Sequence, residues 1–241
     1  CTMVTANNLN SIHRHTSAAT AAVRHAAWDW PADERVEASS VPQITVGPSF
    51  VAGTMIDTEA RPKSVDDLCP GDQILTQDAG AQPIVGIRKV VVPYAVLAEL
   101  SYLRPIRLPD GFLGASKPLM VSPEQRIMIT SVMADLLFDD PEVFVLAKDL
   151  VGLGAEAVVP LVKQLEYFQI LLADHHVIKA NGVWSETLFS QHLKSNEPSM
   201  CHDWRLVEGQ TLEAVQHQHM ARPVLKKFEA QALFNMISAG R

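Results

Sequence analysis

The sequence predicts a mainly β domain followed by a helical extension, and three observations carry that prediction. From Ser49 to Glu186 short runs of β-type residues alternate with turn residues, Asn181-Gly182 joins two such runs directly, and past Leu188 the apolar spacing becomes helical. With 241 residues, 47% of them hydrophobic, the chain can bury a substantial core.

The elements follow in order. Residues 1–47 mix Asn, Ser, Thr, His and Ala, with an Ala-rich helical stretch from Ser17 to Trp28 that Pro31 must end. They read as a poorly ordered leader or linker, or as a helix that packs onto the main domain through Trp28 and Trp30. Strands are expected over Thr54–Thr58, Asp72–Gln77, Pro83–Val92, Pro105–Leu108, Leu119–Ser122, Arg126–Thr130 and Val143–Leu146. Gly53, Pro70-Gly71, Asp78-Ala79-Gly80 and Pro109-Asp110-Gly111 supply turns between them. Asn181-Gly182, between Val177–Ala180 and Val183–Glu186, has the pattern of a hairpin with a primed turn, because both residues accept positive φ. Pro223 followed by Val224, Leu225, Phe228, Ala232, Leu233 and Met236 fits an amphipathic helix with proline in its first turn. The expected plan is a leader over 1–47, a β domain over 48–190, and a helical extension over 191–241 that packs on it.

Composition excludes several function classes. A net charge of −7, with no Lys/Arg cluster beyond Lys226 and Lys227, disfavours a phosphate backbone, so no nucleic-acid partner is expected. No run of about 18 apolar residues is present, so no membrane span is expected. The opening residues lack the basic segment, apolar stretch and cleavage site of a secretory signal, and none is expected. Three cysteines make no disulfide framework and leave the compartment undecided. The pairs His13/His15, His175/His176, Cys201/His202 and His217/His219 do not form a four-ligand spacing, and Gly152-Leu153-Gly154 lacks the third glycine of a dinucleotide loop; neither metal nor cofactor is expected.

Several segments carry a resemblance. Ser49-Phe50-Val51-Ala52-Gly53-Thr54, then Val65 to Asp72 running into Ile74-Leu75-Thr76, resembles the start of a bacterial Hint family related to Hedgehog C-terminal domains and inteins. Gly80 to Ile84, Arg104 to Leu108, Leu119 to Arg126 and Tyr167 to Glu186 continue it, so that roughly Ser49 to Glu186 is covered; Ala221 to Val224 with Phe228-Glu229-Ala230 resembles the tail that often follows the domain.

That resemblance implies a compact Hint-type β fold and self-directed acyl transfer. The side chain of the first domain residue attacks the carbonyl before it, converting a peptide to an ester or thioester that water, a second nucleophile or, in Hedgehog proteins, a sterol then breaks. The implied substrate is the chain's own N-terminal segment. Such a reaction needs a nucleophile, a group that protonates the departing nitrogen, and donors to the oxyanion.

The implied catalytic positions are occupied by Ser49, Gln125 and His175. Ser49 stands where the family has Cys. A thiol ionises near pH ~8.5 whereas an alcohol stays protonated, so Ser49 needs help that Cys can partly do without. Ser49 also reads simply as the residue that opens a strand after Pro48, whose ring crowds the carbonyl under attack. Gln125 takes the place of a His in a motif like S-P-x-H-R, here Ser122-Pro123-Glu124-Gln125-Arg126. An amide donates a hydrogen bond but shuttles no proton, removing a contribution of about 10²- to 10⁴-fold. In the third segment, similar to Y-x-H followed by D-x-H, Tyr167 and His175 are kept, Gln169 replaces the first His and Ala173 the Asp. A shift of one residue would return Asp174 to the Asp slot, at the cost of a bulge. No Asn precedes a downstream nucleophile at the domain's end, so full splicing is not expected. Two functions remain open: a self-cleaving domain of weakened activity that cuts Pro48–Ser49, and a catalytically silent Hint-type module used for binding or structure.

Overall fold

The computed structural model describes residues 46–193 and 204–239, and the leader expected over 1–47 lies outside them except for Val46 and Gly47. In chain order the strands are β1 (Phe50–Val51), β2 (Met55–Ile56), β3 (Lys63–Ser64), β4 (Gln73–Thr76), β5 (Gly80–Pro83) and β6 (Gly86–Pro93). After the short helix α1 (Tyr94–Glu99) come β7 (Ile106–Leu108), β8 (Leu119–Val121) and β9 (Arg126–Thr130). Helix α2 (Val132–Phe138) leads to β10 (Glu142–Leu146), β11 (Glu156–Ala157), β12 (Gln164–Leu171), β13 (Val177–Ala180) and β14 (Val183–Glu186), and then β15 (Trp204–Leu206) and helix α3 (Lys227–Ala239).

Two antiparallel sheets result. One runs β11-β7-β8-β1-β12-β6-β15; the other runs β10-β9-β14-β13-β2-β3, with β4 and β5 attached through β13. Successive side chains along a strand point to opposite faces, and one face of each sheet meets the other in a shared core. Phe50, Ile87, Val121, Phe168 and Ile170 meet Ile56, Ile127, Ile129, Val143, Val145 and Ile178 there. The opposite face of the first sheet holds a smaller cluster, in which Val46, Val51, Val90 and Tyr167 pack under Val96, Leu97 and Leu103. Ser49, one residue before Phe50 of β1, lies on this second face.

The Asn181-Gly182 turn is as expected: φ is 45° at Asn181 and 88° at Gly182, and Ala180 pairs with Val183. Asn181 also ties the hairpin down, its Oδ1 accepting from Met55 N at 2.8 Å and its Nδ2 donating to Pro118 O at 2.9 Å. That side chain therefore does work a bare turn residue would not.

Helices α1 and α2 are absent from the sequence expectation. Ser131 caps α2 by accepting from Met133 N, and Asp139 ends it at φ 56°. The C-terminal region departs further. A helix is present, but it begins at Lys227 rather than in the turn containing Pro223. The Pro223 carbonyl accepts from Phe144 N at 2.7 Å and Leu225 N donates to Phe144 O at 2.8 Å, so 223–225 is spent as an extended strap along the β10 edge. Likewise β15 pairs with the edge of β6, in a region read as helical. Open sheet edges leave donors and acceptors that a passing segment can satisfy, and this outweighs local propensity. Helix α3 buries Ala230 and Leu233, and its Phe234 ring stacks on Phe112 at 6.2 Å.

Candidate active site

Strand β1 is central in its sheet, and its register builds the site. Phe50 pairs with Val121 on one side and Phe168 on the other. One step back along both antiparallel pairings sets Ser49 opposite Ser122 and Gln169. Ser122 N donates to Ser49 O at 2.9 Å, which extends the ladder to this row.

Pro48, Ser49 and Ser122 are all buried. The Ser49 backbone N–H, which belongs to the Pro48–Ser49 peptide, donates to Ser122 Oγ at 3.0 Å. Ser122 Oγ in turn donates to Gly47 O at 2.9 Å, and Ser49 Oγ donates to the same oxygen at 2.7 Å. Two hydroxyls thus share one carbonyl acceptor beside the peptide, and one of them is hydrogen-bonded to its nitrogen. Sequence reasoning passed over Ser122 as a member of the motif around Gln125; its position opposite a β1 residue, visible only through strand pairing, was the missing signal.

Gln125 and His175 are brought together elsewhere, through Glu186. Gln125 is fully buried; its Nε2 donates to the Glu186 carbonyl at 3.0 Å, while its Oε1 has no hydrogen-bond partner among the described residues. His175 Nε2 lies 3.1 Å from both Glu186 Oε2 and Thr187 O. Its Nδ1 accepts from Ala221 N at 2.9 Å, so the hydrogen-bond pattern assigns the proton to Nε2. Glu186, with no side-chain exposure, also binds Arg126 Nη1 at 2.8 Å and Arg126 N at 3.1 Å. Among the described residues the bonds of Gln125 and His175 therefore run to Glu186, Arg126, Thr187 and Ala221, not to Pro48 or Ser49.

A second histidine has the same habit. His217 Nδ1 accepts from Ser190 N at 3.1 Å, and its Nε2 faces Leu172 O at 3.1 Å. Its ring lies 6.0 Å from that of His175 and 5.7 Å from Phe189. Burial pushes the His217 imidazole below the usual histidine range, an effect only partly opposed by the Leu172 carbonyl, and burial does the same to His192 and His176. In each case burial disfavours the charged imidazolium, and the bonds of the His217 ring join the Ser190 and Leu172 backbones.

The remaining motif residues have clear places. Tyr167 is buried and its hydroxyl donates to Leu103 O at 2.9 Å; burial pushes its ionisation far above the ordinary tyrosine range. Gln169, 1% exposed, has its Oε1 bound by Arg88 Nε at 2.8 Å. Ala173 and Asp174 are exposed in the bend after β12, whose pairing with β6 is continuous from Gln164 to Leu171; no bulge carries Asp174 inward. Among the described residues no group of three or more His, Cys, Asp or Glu side chains could hold a metal ion, and no helix is long and apolar enough to cross a membrane.

Among solved structures, the chain is similar to a bacterial intein-like domain from Clostridium thermocellum, with 15% identity, 59% of this chain and 100% of that one covered, and a TM-score of 0.42. It is also similar to a splice-inactive variant of the AceL NrdHF class 3 split intein (15% identity, 58% and 96% covered, TM-score 0.39). A third similarity is to the gp41-1 intein (12% identity, 58% and 98% covered, TM-score 0.33). No curated protein sequence matches the chain. The family model described as the Hint domain matches residues 48–192, more than half of the chain, and the chain belongs to that family.

Proposed function

We propose that the domain cuts its own chain at Pro48–Ser49 by an N-to-O acyl shift from Ser49, slowly, with Ser122 carrying the proton. The observation that supports this reading above all is the buried Ser122 hydroxyl 3.0 Å from the nitrogen that must leave. Ser49 Oγ forms a bond to the Pro48 carbonyl carbon and the carbon–nitrogen bond to Ser49 breaks. Ser122 gives its proton to the departing nitrogen and takes one from Ser49 Oγ, so that the net transfer is from oxygen to nitrogen. Water then hydrolyses the ester: Pro48 gains a carboxylate, and Ser49 recovers its hydroxyl and begins the product with a free amine. The burial of Val46 and Pro48 supports the N-terminal segment as substrate, because the residues entering the reaction are already seated.

The weakened rate follows from what touches the peptide. Among the described residues the groups hydrogen-bonded to Ser49 are the Ser122 hydroxyl, the Gly47 carbonyl and the Ser122 backbone N–H, none of which titrates near neutral pH, and the Ser49 hydroxyl must leave Gly47 O before it can attack. The second reading, a non-cleaving module, is favoured by that resting bond and by the exposed apolar face of α2, where Val132 and Leu136 are 78% and 71% exposed.

Intact-mass measurement on freshly purified chain, incubated with and without hydroxylamine, tests the proposal beside a Ser49→Ala control. Products ending at Pro48 and beginning at Ser49, accelerated by hydroxylamine and absent from the control, are expected. A full-length mass that never changes overturns self-cleavage and leaves the binding module.

A further inference from the structure

The pairings around Ser49 continue beyond it. Ser49 lies opposite Gln169, Gln169 pairs with Arg88 across β12 and β6, and Arg88 pairs with Trp204 across β6 and β15. Directly opposed residues of antiparallel strands project on the same face. Ser122, Ser49, Gln169, Arg88 and Trp204 therefore form one transverse row over five strands, running from the nucleophile position to the segment that follows the Hint match.

The row is mechanically continuous. The Arg88 guanidinium carbon lies 5.4 Å from the centroid of a Trp204 ring, a cation–π contact, while Arg88 Nε grips Gln169 Oε1 at 2.8 Å. This fixes the other end of the amide. Gln169 Nε2 then stands 3.2 Å from where a Cβ on Gly47 would sit. That separation is too short for an ordinary contact, so either the substrate residue or Gln169 must yield. Gln169 is 1% exposed and anchored through Arg88, so it has little room to do so. The anchor itself is closely docked: a Cβ on Gly86 would lie 2.7 Å from Leu206 Cδ2 and 3.2 Å from Trp204 Cε3.

Gly47 is the residue whose carbonyl gathers the Ser49 and Ser122 hydroxyls. A side chain there would require Gln169 Nε2, or the Gly47 backbone that carries this carbonyl, to shift by a few tenths of an ångström. We propose that Gln169, braced by Arg88 and Trp204, is a specificity-determining residue that restricts the position two before the nucleophile to glycine, and that β15 thereby makes the segment after the Hint match part of the substrate gauge. The proposal rests on self-cleavage at Pro48–Ser49 for its meaning in catalysis, but the steric coupling it asserts can be measured without cleavage.

The experiment is a mutant cycle in the full chain, built from Gly47→Ala, Gln169→Ala and the double variant, each in the parent and in a Ser49→Ala background. Cleavage is followed by intact mass, and exchange of the position-49 amide, which donates to Ser122, by hydrogen–deuterium exchange. Gly47→Ala is expected to slow cleavage about 10²-fold, the scale of a small misplacement at a reacting centre, and to speed exchange. In the Gln169→Ala background the same substitution is expected to cost several-fold at most in either readout. Trp204→Leu, which leaves Gln169 in place but removes the brace, is expected to relieve part of the Gly47→Ala penalty. Equal penalties with and without Gln169 overturn the gauge. If the parent never cleaves, the autoprocessing reading fails while the exchange cycle still decides the coupling.

Discussion

Two buried polar regions of this molecule invite comparison: the hydroxyl pair at Pro48–Ser49 and the ionisable cluster of His175, Glu186 and Arg126. The first sits on a central strand and contains only hydroxyls and peptide groups. The second concentrates charge and imidazole, and a reader searching for catalytic machinery would go there first. Yet His175 spends both ring nitrogens on Glu186, Thr187 and Ala221, and Gln125 spends its amide N–H on the Glu186 carbonyl. The difference teaches that buried, paired ionisable groups mark a structural network as readily as a reactive one; what they touch decides.

Substituting Glu186 breaks that comparison most severely. Glu186→Ala leaves Arg126, whose side chain is 15% exposed, without its carboxylate and leaves His175 Nε2 with a single acceptor. Loss of one partner from a buried ion pair costs about 3 kcal/mol or more, because the survivor stays desolvated. Denaturant unfolding should show that loss. Cleavage per folded molecule should stay near the parent's value, since Glu186 makes no bond to the peptide under attack; a cleavage defect out of proportion to unfolding would merge the two regions into one site.

Ser122→Ala is the reciprocal case. It removes the acceptor of the Ser49 N–H and one donor to Gly47 O. The stability loss is expected to be about 1–2 kcal/mol, the cost of an unsatisfied buried donor. Self-cleavage should fall about 10²-fold, the scale of one general acid–base group. Thermal melting and a mass time course on the same sample separate these effects. A variant that is destabilised but cleaves at the parental rate would remove Ser122 from the mechanism.

The two regions also differ in how far they could be read before folding. The strands, the primed turn and the position of Ser49 at a strand start were legible because alternation and positive-φ residues act locally. The C-terminal region was not. Pro223 reads as a helix opener until the β10 edge offers Phe144 N and O, and Trp204 reads as part of a helical tail until β6 offers an edge. The resemblance to the family's motifs implied Gln125 and His175 as partners of Ser49. The place of Ser122 beside Ser49 N needed the Phe50–Val121 pairing, and the nearness of Gln169 Nε2 to where a Gly47 Cβ would sit needed the Phe50–Phe168 pairing. Helix α2 left a faint local sign in Ser131, a capping residue, but its seven residues fall among strand-forming neighbours.

The smallest expected effect concerns pH and sharpens the contrast further. His217 faces Leu172 O and the Ser190 backbone N–H, with the rings of His175 and Phe189 beside it and Asp174 and His176 acting on it electrostatically. Burial lowers its proton affinity below the ordinary histidine range, and His176 and His192 are shifted the same way. Below about pH 6.5 the unfolded chain therefore binds more protons at these positions than the folded one, and stability rises with pH across that window. The contribution is whole above the unfolded value and is lost as pH falls through the folded ones. Protonating His217 at Nδ1 would set two donors against each other at Ser190, so the join between the Hint domain and its C-terminal segment should loosen first. Thermal melts taken at falling pH should show decreasing midpoints, with a shallower slope for His217→Asn, whose Oδ1 can still accept from Ser190 N. An unchanged slope in that variant would mean that His217 does not report on the join. Cleavage, resting on hydroxyls that do not titrate here, should follow the folded fraction and show no inflection of its own.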